Sequence, residues 1–363
     1  MEAKHVTPDE FKAQPFEPGS RSRYLVYVGE LSTGSPLEIP VEVIAGKRKG
    51  PTVFVGAGQH GEEPAGMVAV SSVMRRLAPE DVKGTVIAVP LQNPPAWAFR
   101  SRHFPLDAPN VGDVAGMQSG DPGGVMSSRV VSALTDAIAT RAQYALDVHA
   151  THLDSVNYPR AMVTITGAEP EDVQAQRLEL GRAVGFEVIH LWKRAGHGGV
   201  DAILNRKGIP TIAIEAGEGW RALEPFPSMM ARAIVNFLRH TGALDGTPEM
   251  PEMQVEVTTR HEVTANRGGM SHLRVKPGDY VEQGQVVAEV HNMFGDVIEE
   301  LRSPFNGIII RCSLLPTVAT GARVCNVYQT DRREWARRTP PALEQQIVVP
   351  GVSRQAQAVR AAG

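Results

Sequence analysis

Pro51-Thr52-Val53-Phe54-Val55-Gly56-Ala57-Gly58-Gln59-His60-Gly61-Glu62-Glu63-Pro64 reads as a strand running straight into a helix. The first half is a short apolar run, rich in β-branched residues and closed by glycine, which predicts a buried strand over 51–58. The second half sets two acids and a proline where a helix takes them in its first turn. Residues 65–77 then continue as an apolar helix ending in two arginines.

Outward from this unit the pattern repeats. Residues 24–45 alternate apolar and polar side chains, as one or two strands of an antiparallel edge do. A second buried strand is predicted over 85–91 (TVIAVPL), with Pro90 limiting where it ends. Residues 93–125 are rich in Gly, Pro and Asp and too long for a simple connection, a length typical of functional or mobile loops. Helices are predicted over 127–138, 171–184 and 227–239, and strands over 144–149 (YALDVH) and 211–215 (TIAIE). Such alternation predicts a sheet with helices on both faces. After Asp245-Gly246-Thr247-Pro248 the character changes: residues 255–328 hold short strands and turns without a helix pattern, an all-β domain. The predicted organisation is a catalytic domain over 1–246, a β domain over 247–332 and a tail of low order over 333–363, where 347–349 can add an edge strand.

Composition narrows the function. The formal net charge is -3 over 363 residues, which points to neither nucleic acid nor an acidic membrane surface. Hydrophobic residues make up 42% and charged residues 21%, enough apolar material for a packed core. The polar start, MEAKHVTPDEF, is not that of a signal peptide, and no apolar run is long enough to span a bilayer. The two cysteines, Cys312 and Cys325, form no CxxC pair, so a cytoplasmic location is expected and any metal must be held by His and carboxylates.

In an open α/β sheet, ligands bind beyond the carboxyl ends of the strands. His60 and Glu63 follow the first predicted strand; His149 and Glu215 each close another. Two histidines and a carboxylate leave a coordination position open, the pattern of a catalytic rather than a structural zinc. The same HxxE also fits a solvated helix start with acids set against the dipole, and Glu62 is read that way. Asp147 shares a face with His149, two residues on in the strand, and can orient its imidazole; a purely structural Asp–His hydrogen bond fits equally. Glu215, an acid ending an apolar strand, suits a general base acting on water; a solvated loop start is the alternative.

Taken in order, HGEEPAG, NPPAWAFRSRHFPLDAPN, DVHA and IEAGEG resemble the succinylglutamate desuccinylase/aspartoacylase family, part of the wider zinc carboxypeptidase class. The resemblance implies a zinc-carboxypeptidase-like α/β/α sandwich with a mixed sheet, and one Zn2+ per chain on His60, Glu63 and His149. It implies Glu215 as catalytic acid/base and Arg102 as the arginine polarising the scissile carbonyl, with Arg100 a close competitor. The family's Asp-Leu-Asn-Arg, which helps hold a substrate carboxylate, reads here Asp107-Ala108-Pro109-Asn110-Val111. Asn110 carries over as a substrate contact; Val111 cannot replace the arginine. N-acetylaspartate and N-succinylglutamate are therefore expected to be poor substrates, and Arg100 can hold a differently placed carboxylate.

In the β domain, VKPGDYV with GQ and later SPFNG resemble the barrel-sandwich hybrid fold of biotinyl and lipoyl domains. The hairpin that carries their lysine reads His291-Asn292-Met293-Phe294-Gly295-Asp296, without one, so a lid or wall over the active site is expected, with His291 able to reach substrate. The resulting expectation is a zinc-dependent amidohydrolase, a deacylase of a small N-acylated amino acid or diamine using metal-activated water. The alternatives are hydrolysis of another small amide, lactam or ester, or a peptide carboxypeptidase. The partner expected is a small N-acyl molecule, without nucleic acid or membrane; homo-oligomerisation is compatible with this reading.

Overall fold

The computed structural model describes residues 2–107, 114–165, 167, 170–193 and 198–337. Four parallel strands form its centre, in the order Lys83–Val89, Arg48–Ala57, Tyr144–His149, Thr211–Glu218. Their two-residue period feeds two cores. Val53 and Val55 enter one, together with Val86, Ala88, Leu146 and Val148. Phe54, Ile87, Val89 and Ala145 enter the other. The helices Pro64–Arg76, Glu171–Ala183 and Phe226–His240 cover the first core. Pro8–Ala13, Met126–Ser132 and Val200–Arg206 cover the second. The predicted layering, helices on both faces of a sheet, is what forms.

The sheet is mixed and wider than the sequence pattern suggested. On one side lie the antiparallel strands Pro36–Ala45 and Ser20–Glu30, with Lys4–Val6 outermost. On the other, Ser155–Ile165 runs antiparallel to Thr211–Glu218, and Val188–Lys193 pairs parallel with it. Neither of these last two strands was expected. Pro159 argues against a strand, yet a register shift between Asn157 and Arg160 accommodates it. The expected helix over 127–138 is a regular α-helix only to Ser132 and continues as a π-helix, Ala133–Ile138.

The C-terminal β-rich region divides between two sheets. Gly307–Ser313 pairs with Ser155–Ile165 and is followed by Arg323–Gln329 and Arg260–Thr264, so the main sheet passes through it. A second sheet of four strands orders Val297–Arg302, Val286–His291, Gly269–Leu273 and Thr317–Val318. The chain entering this region also stays attached, because Val255–Val257 pairs with Val188–Lys193.

Low order from residue 333 does not hold for Arg333–Arg337. These form a 3-10 turn whose Trp335 is fully buried against Val188, Ile308 and Tyr328, with its Nε1 donating to the Gly278 carbonyl at 2.8 Å. The edge strand expected over 347–349 lies outside the described residues.

Candidate active site

Glu63 is the N-cap residue of Pro64–Arg76, but its carboxylate makes no cap hydrogen bond. It turns instead toward two imidazoles, with Oε1 2.8 Å from His60 Nδ1 and Oε2 2.9 Å from His149 Nδ1. The Ala150 amide donates to Oε2 at 3.0 Å. His60, Glu63 and His149 are all buried and offer ligand atoms within 4.8 Å of one another. The turn is held against the following loop at Gly61, where a Cβ would stand 2.1 Å from the Ala96 carbonyl oxygen.

Asp147 sets the tautomer of His149. Its Oδ2 lies 3.0 Å from His149 Nε2, while its Oδ1 accepts from Gln92 Nε2 at 2.6 Å. With a proton on Nε2, the lone pair of Nδ1 faces a carboxylate oxygen, so a proton or a cation must lie between them. Burial alone would raise the Glu63 carboxyl, yet the charges of His60 and His149 hold it well below the usual range. Burial would likewise lower His149, but Asp147 and Glu63 raise it well above its ordinary value. The pocket is thus built to attract positive charge. His60 Nε2, by contrast, is buried with no hydrogen-bond partner among the described residues. Two imidazoles and a carboxylate presented to one point, backed by Asp147 and Gln92, fit a divalent metal of the zinc type.

Glu62 is not the solvated acid expected of it. It is 2% exposed and accepts from Arg102 Nη1 at 2.8 Å; the same nitrogen reaches Glu63 Oε1 at 3.1 Å. His152 lies 3.7 Å from Glu62, and burial, then Arg102, push it down to about 4. Arg102 therefore stands beside the cluster. Arg100 does not: it is exposed, with φ 53, and is absent from the cavity wall.

Glu215 is a mid-strand residue, because Thr211–Glu218 runs three residues past the predicted end. It lies opposite His149 on one side and Arg160 on the other. Its Oε2 accepts from Asn157 Nδ2 at 2.9 Å and from Arg160 Nη2. Its Oε1 has no partner among the described residues. Asn157, Arg160 and Gln92 were missed in the sequence; for Asn157 and Arg160 the available signal was polar side chains inside an apolar strand pattern.

His60, Glu63, Arg102, His149, His152, Asn157, Arg160 and Glu215 line one cavity of about 570 Å³. Arg260, Glu262, Arg311, Arg323 and Asn326 close it from the β-rich region. His291 does not line it. It sits in the second sheet, with Nε2 3.1 Å from Glu289 and Nδ1 3.1 Å from the Gly295 carbonyl. Phe294 beside it is 93% exposed. Asn110 and Val111 lie outside the described residues.

A mixed α/β sheet thus carries, at its carboxyl edge, a His–Glu–His cluster that could hold a metal ion, with an acid one strand away. Residues 49–241 match the succinylglutamate desuccinylase/aspartoacylase catalytic domain, and the chain belongs to that family. It is 29% identical over 282 residues to N-alpha-acetyl-L-2,4-diaminobutyric acid deacetylase of Halomonas elongata, covering 75% of this chain and 80% of that one. The fold is shared with the product-bound ectoine utilization protein EutE (DoeB) of Ruegeria pomeroyi, at TM-score 0.77, 22% identity and 87% and 98% coverage. It is shared also with a succinylglutamate desuccinylase/aspartoacylase of Rhodobacter sphaeroides, at TM-score 0.76, 25% identity and 87% and 97% coverage.

Proposed function

We propose that this chain is a zinc-dependent amidohydrolase that removes the acyl group from a small N-acylated amino acid, of which an N-acyl diamino acid is the best candidate. The observation that carries the reading is the His60–Glu63–His149 cluster with Glu215 directly across the sheet from His149. The Halomonas elongata deacetylase, named for an N-acetylated diamino acid, supports the substrate class.

His60, Glu63 and His149 would hold the metal, which when bound supplies Lewis-acid polarisation and a more acidic water. Glu215, fixed through Oε2, takes a proton from the attacking water on Oε1 and delivers it to the leaving nitrogen. The water oxygen bonds to the carbonyl carbon first, and the C–N bond then breaks as the nitrogen takes the proton, giving a carboxylate and a free amine. Arg102 keeps Nε and Nη2 without partners among the described residues, so both can donate to the carbonyl oxygen as it gains charge. Arg260, Glu262, Arg311, Arg323 and Asn326 of the β-rich region wall the cavity opposite these groups.

No helix among the described residues is long and apolar enough to cross a membrane. Two buried free thiols, Cys312 and Cys325, suit the cytoplasm, where we place the protein. The test is hydrolysis of Nα-acetyl-L-2,4-diaminobutyrate, N-acetylaspartate and N-succinylglutamate by zinc-loaded protein, before and after chelation. Turnover of the first that is lost with zinc and restored by it is expected. Turnover indifferent to chelation, or no turnover of any N-acyl amino acid, contradicts the reading.

A further inference from the structure

Among the described residues, five arginines line the cavity: Arg102, Arg160, Arg260, Arg311 and Arg323. Four of them are answered by acids at the site. Arg102 is held by Glu62 and Glu63, and Arg160 by Glu215. Arg260 and Arg323 share Glu262, at 3.8 and 3.3 Å. Arg311 differs, because its partner Asp154, 3.0 Å from Nη2, is 43% exposed and not part of the cavity wall. The side chain of Arg311 is 7% exposed, and its Nε and Nη1 are buried with no hydrogen-bond partner among the described residues. A buried guanidinium with idle donors is a group waiting for an acceptor.

We infer that Arg311 receives a carboxylate of the substrate, supplying from the β-rich region the anion contact that Val111 cannot make. The sheet register brings it to the reaction. Arg311 lies opposite Asn157, which donates to Glu215, and on its other side opposite Asn326. Oδ1 of Asn157 and Oδ1 of Asn326 are buried acceptors without partners among the described residues, suited to N–H groups of the same molecule. A carboxylate on Arg311 flanked by N–H donors on these asparagines describes an N-acyl amino acid. Burial, and then Arg323 nearby, press the Arg311 guanidinium below its ordinary value against the pull of Asp154, as expected of a cation short of counter-charge. Arg160 also has idle Nε and Nη1, but moving it onto substrate would release Glu215.

This inference rests on the amide-hydrolase reading of the cavity, and the experiment separates the two. Specificity constants are measured for Nα-acetyl-L-2,4-diaminobutyrate and for N-acetyl-1,3-diaminopropane, the same amide without the carboxylate. Wild-type protein should prefer the first by roughly 100-fold, mainly through KM. Arg311→Met should bring that preference to within about threefold, and Arg311→Lys, which keeps the charge but not the fork, should retain part of it. Thermal melts show whether each variant folds; if Arg311→Met does not, the loss expected in Arg311→Lys, about 10-fold, carries the comparison. A preference that survives both substitutions, or no preference in the wild type, overturns the role of Arg311 and leaves the hydrolase reading standing. If the wild type hydrolyses neither compound, that substrate reading fails, and calorimetric titration with succinate decides the anion site. Binding at least about tenfold weaker in the folded Arg311 variant than in the wild type supports it. Equal or absent binding overturns it.

Discussion

Glu215 and His149 face each other across two neighbouring parallel strands. One strand thus presents an imidazole and the next a carboxylate at the same level of the sheet. Arg160, opposite Glu215 on its other side, fixes that carboxylate from behind. The separation of roles follows from the register: His149 touches Glu63 and can be a ligand, whereas Glu215 touches Asn157 and Arg160 and is held away from the cluster.

His60→Ala and His149→Ala should each lose the metal and the activity together, because two ligands do not hold zinc against the solvent. Metal analysis of the purified variants is the measurement. Full zinc content in both would remove these residues from the ligand set.

Asp147→Asn should weaken zinc binding by about 10- to 100-fold while leaving the fold intact, since it disturbs the tautomer of His149 rather than a ligand bond. Competition with a chromogenic chelator reads this directly. Unchanged affinity would mean that the Asp147–His149 hydrogen bond is purely structural.

His190 carries a stability prediction. Burial, then Arg160 and Arg260, push its imidazole down to about 2 from an ordinary value of 6.5. Between those values the unfolded chain binds the proton and the folded chain does not. The His190 contribution is therefore fully present above about pH 6.5 and is lost as the pH falls, by up to about 1.4 kcal/mol per unit. Urea unfolding at pH 7 and pH 5 should show a smaller acid loss in His190→Gln than in the wild type. Parallel losses in the two proteins would exclude His190 as the cause.

Trp335→Ala should destabilise the protein by about 3–5 kcal/mol, because a fully buried indole leaves a cavity and its carbonyl partner at Gly278 loses a donor. A change in unfolding free energy below about 1 kcal/mol would show that the 333–337 turn is not part of the core.

The parts of this fold legible in the sequence are those governed by local periodicity. Residues 51–58 could be read as a buried strand from their continuous apolar, β-branched run, and Val53, Phe54 and Val55 do bury alternately in two cores. The rule of carboxyl ends then selected His60, Glu63, His149 and Glu215, which the fold brings to one cavity. What depends on register was not legible. The strand holding Asn157 and Arg160 contains Pro159, and only a register shift makes it a strand. Glu62 reads as a helix-start acid until Arg102, 40 residues on, is placed against it. For His291 the sequence allowed either a reach toward substrate or a plain surface turn; its sheet sets it against Glu289 and Gly295, outside the cavity wall.

The most direct measurement is zinc content and turnover in Glu215→Gln, taken on the same preparation. If Glu215 is the proton carrier and not a ligand, zinc stays stoichiometric while kcat falls by about 100-fold or more. Loss of zinc along with activity, or a kcat within about threefold of wild type with zinc retained, contradicts that assignment.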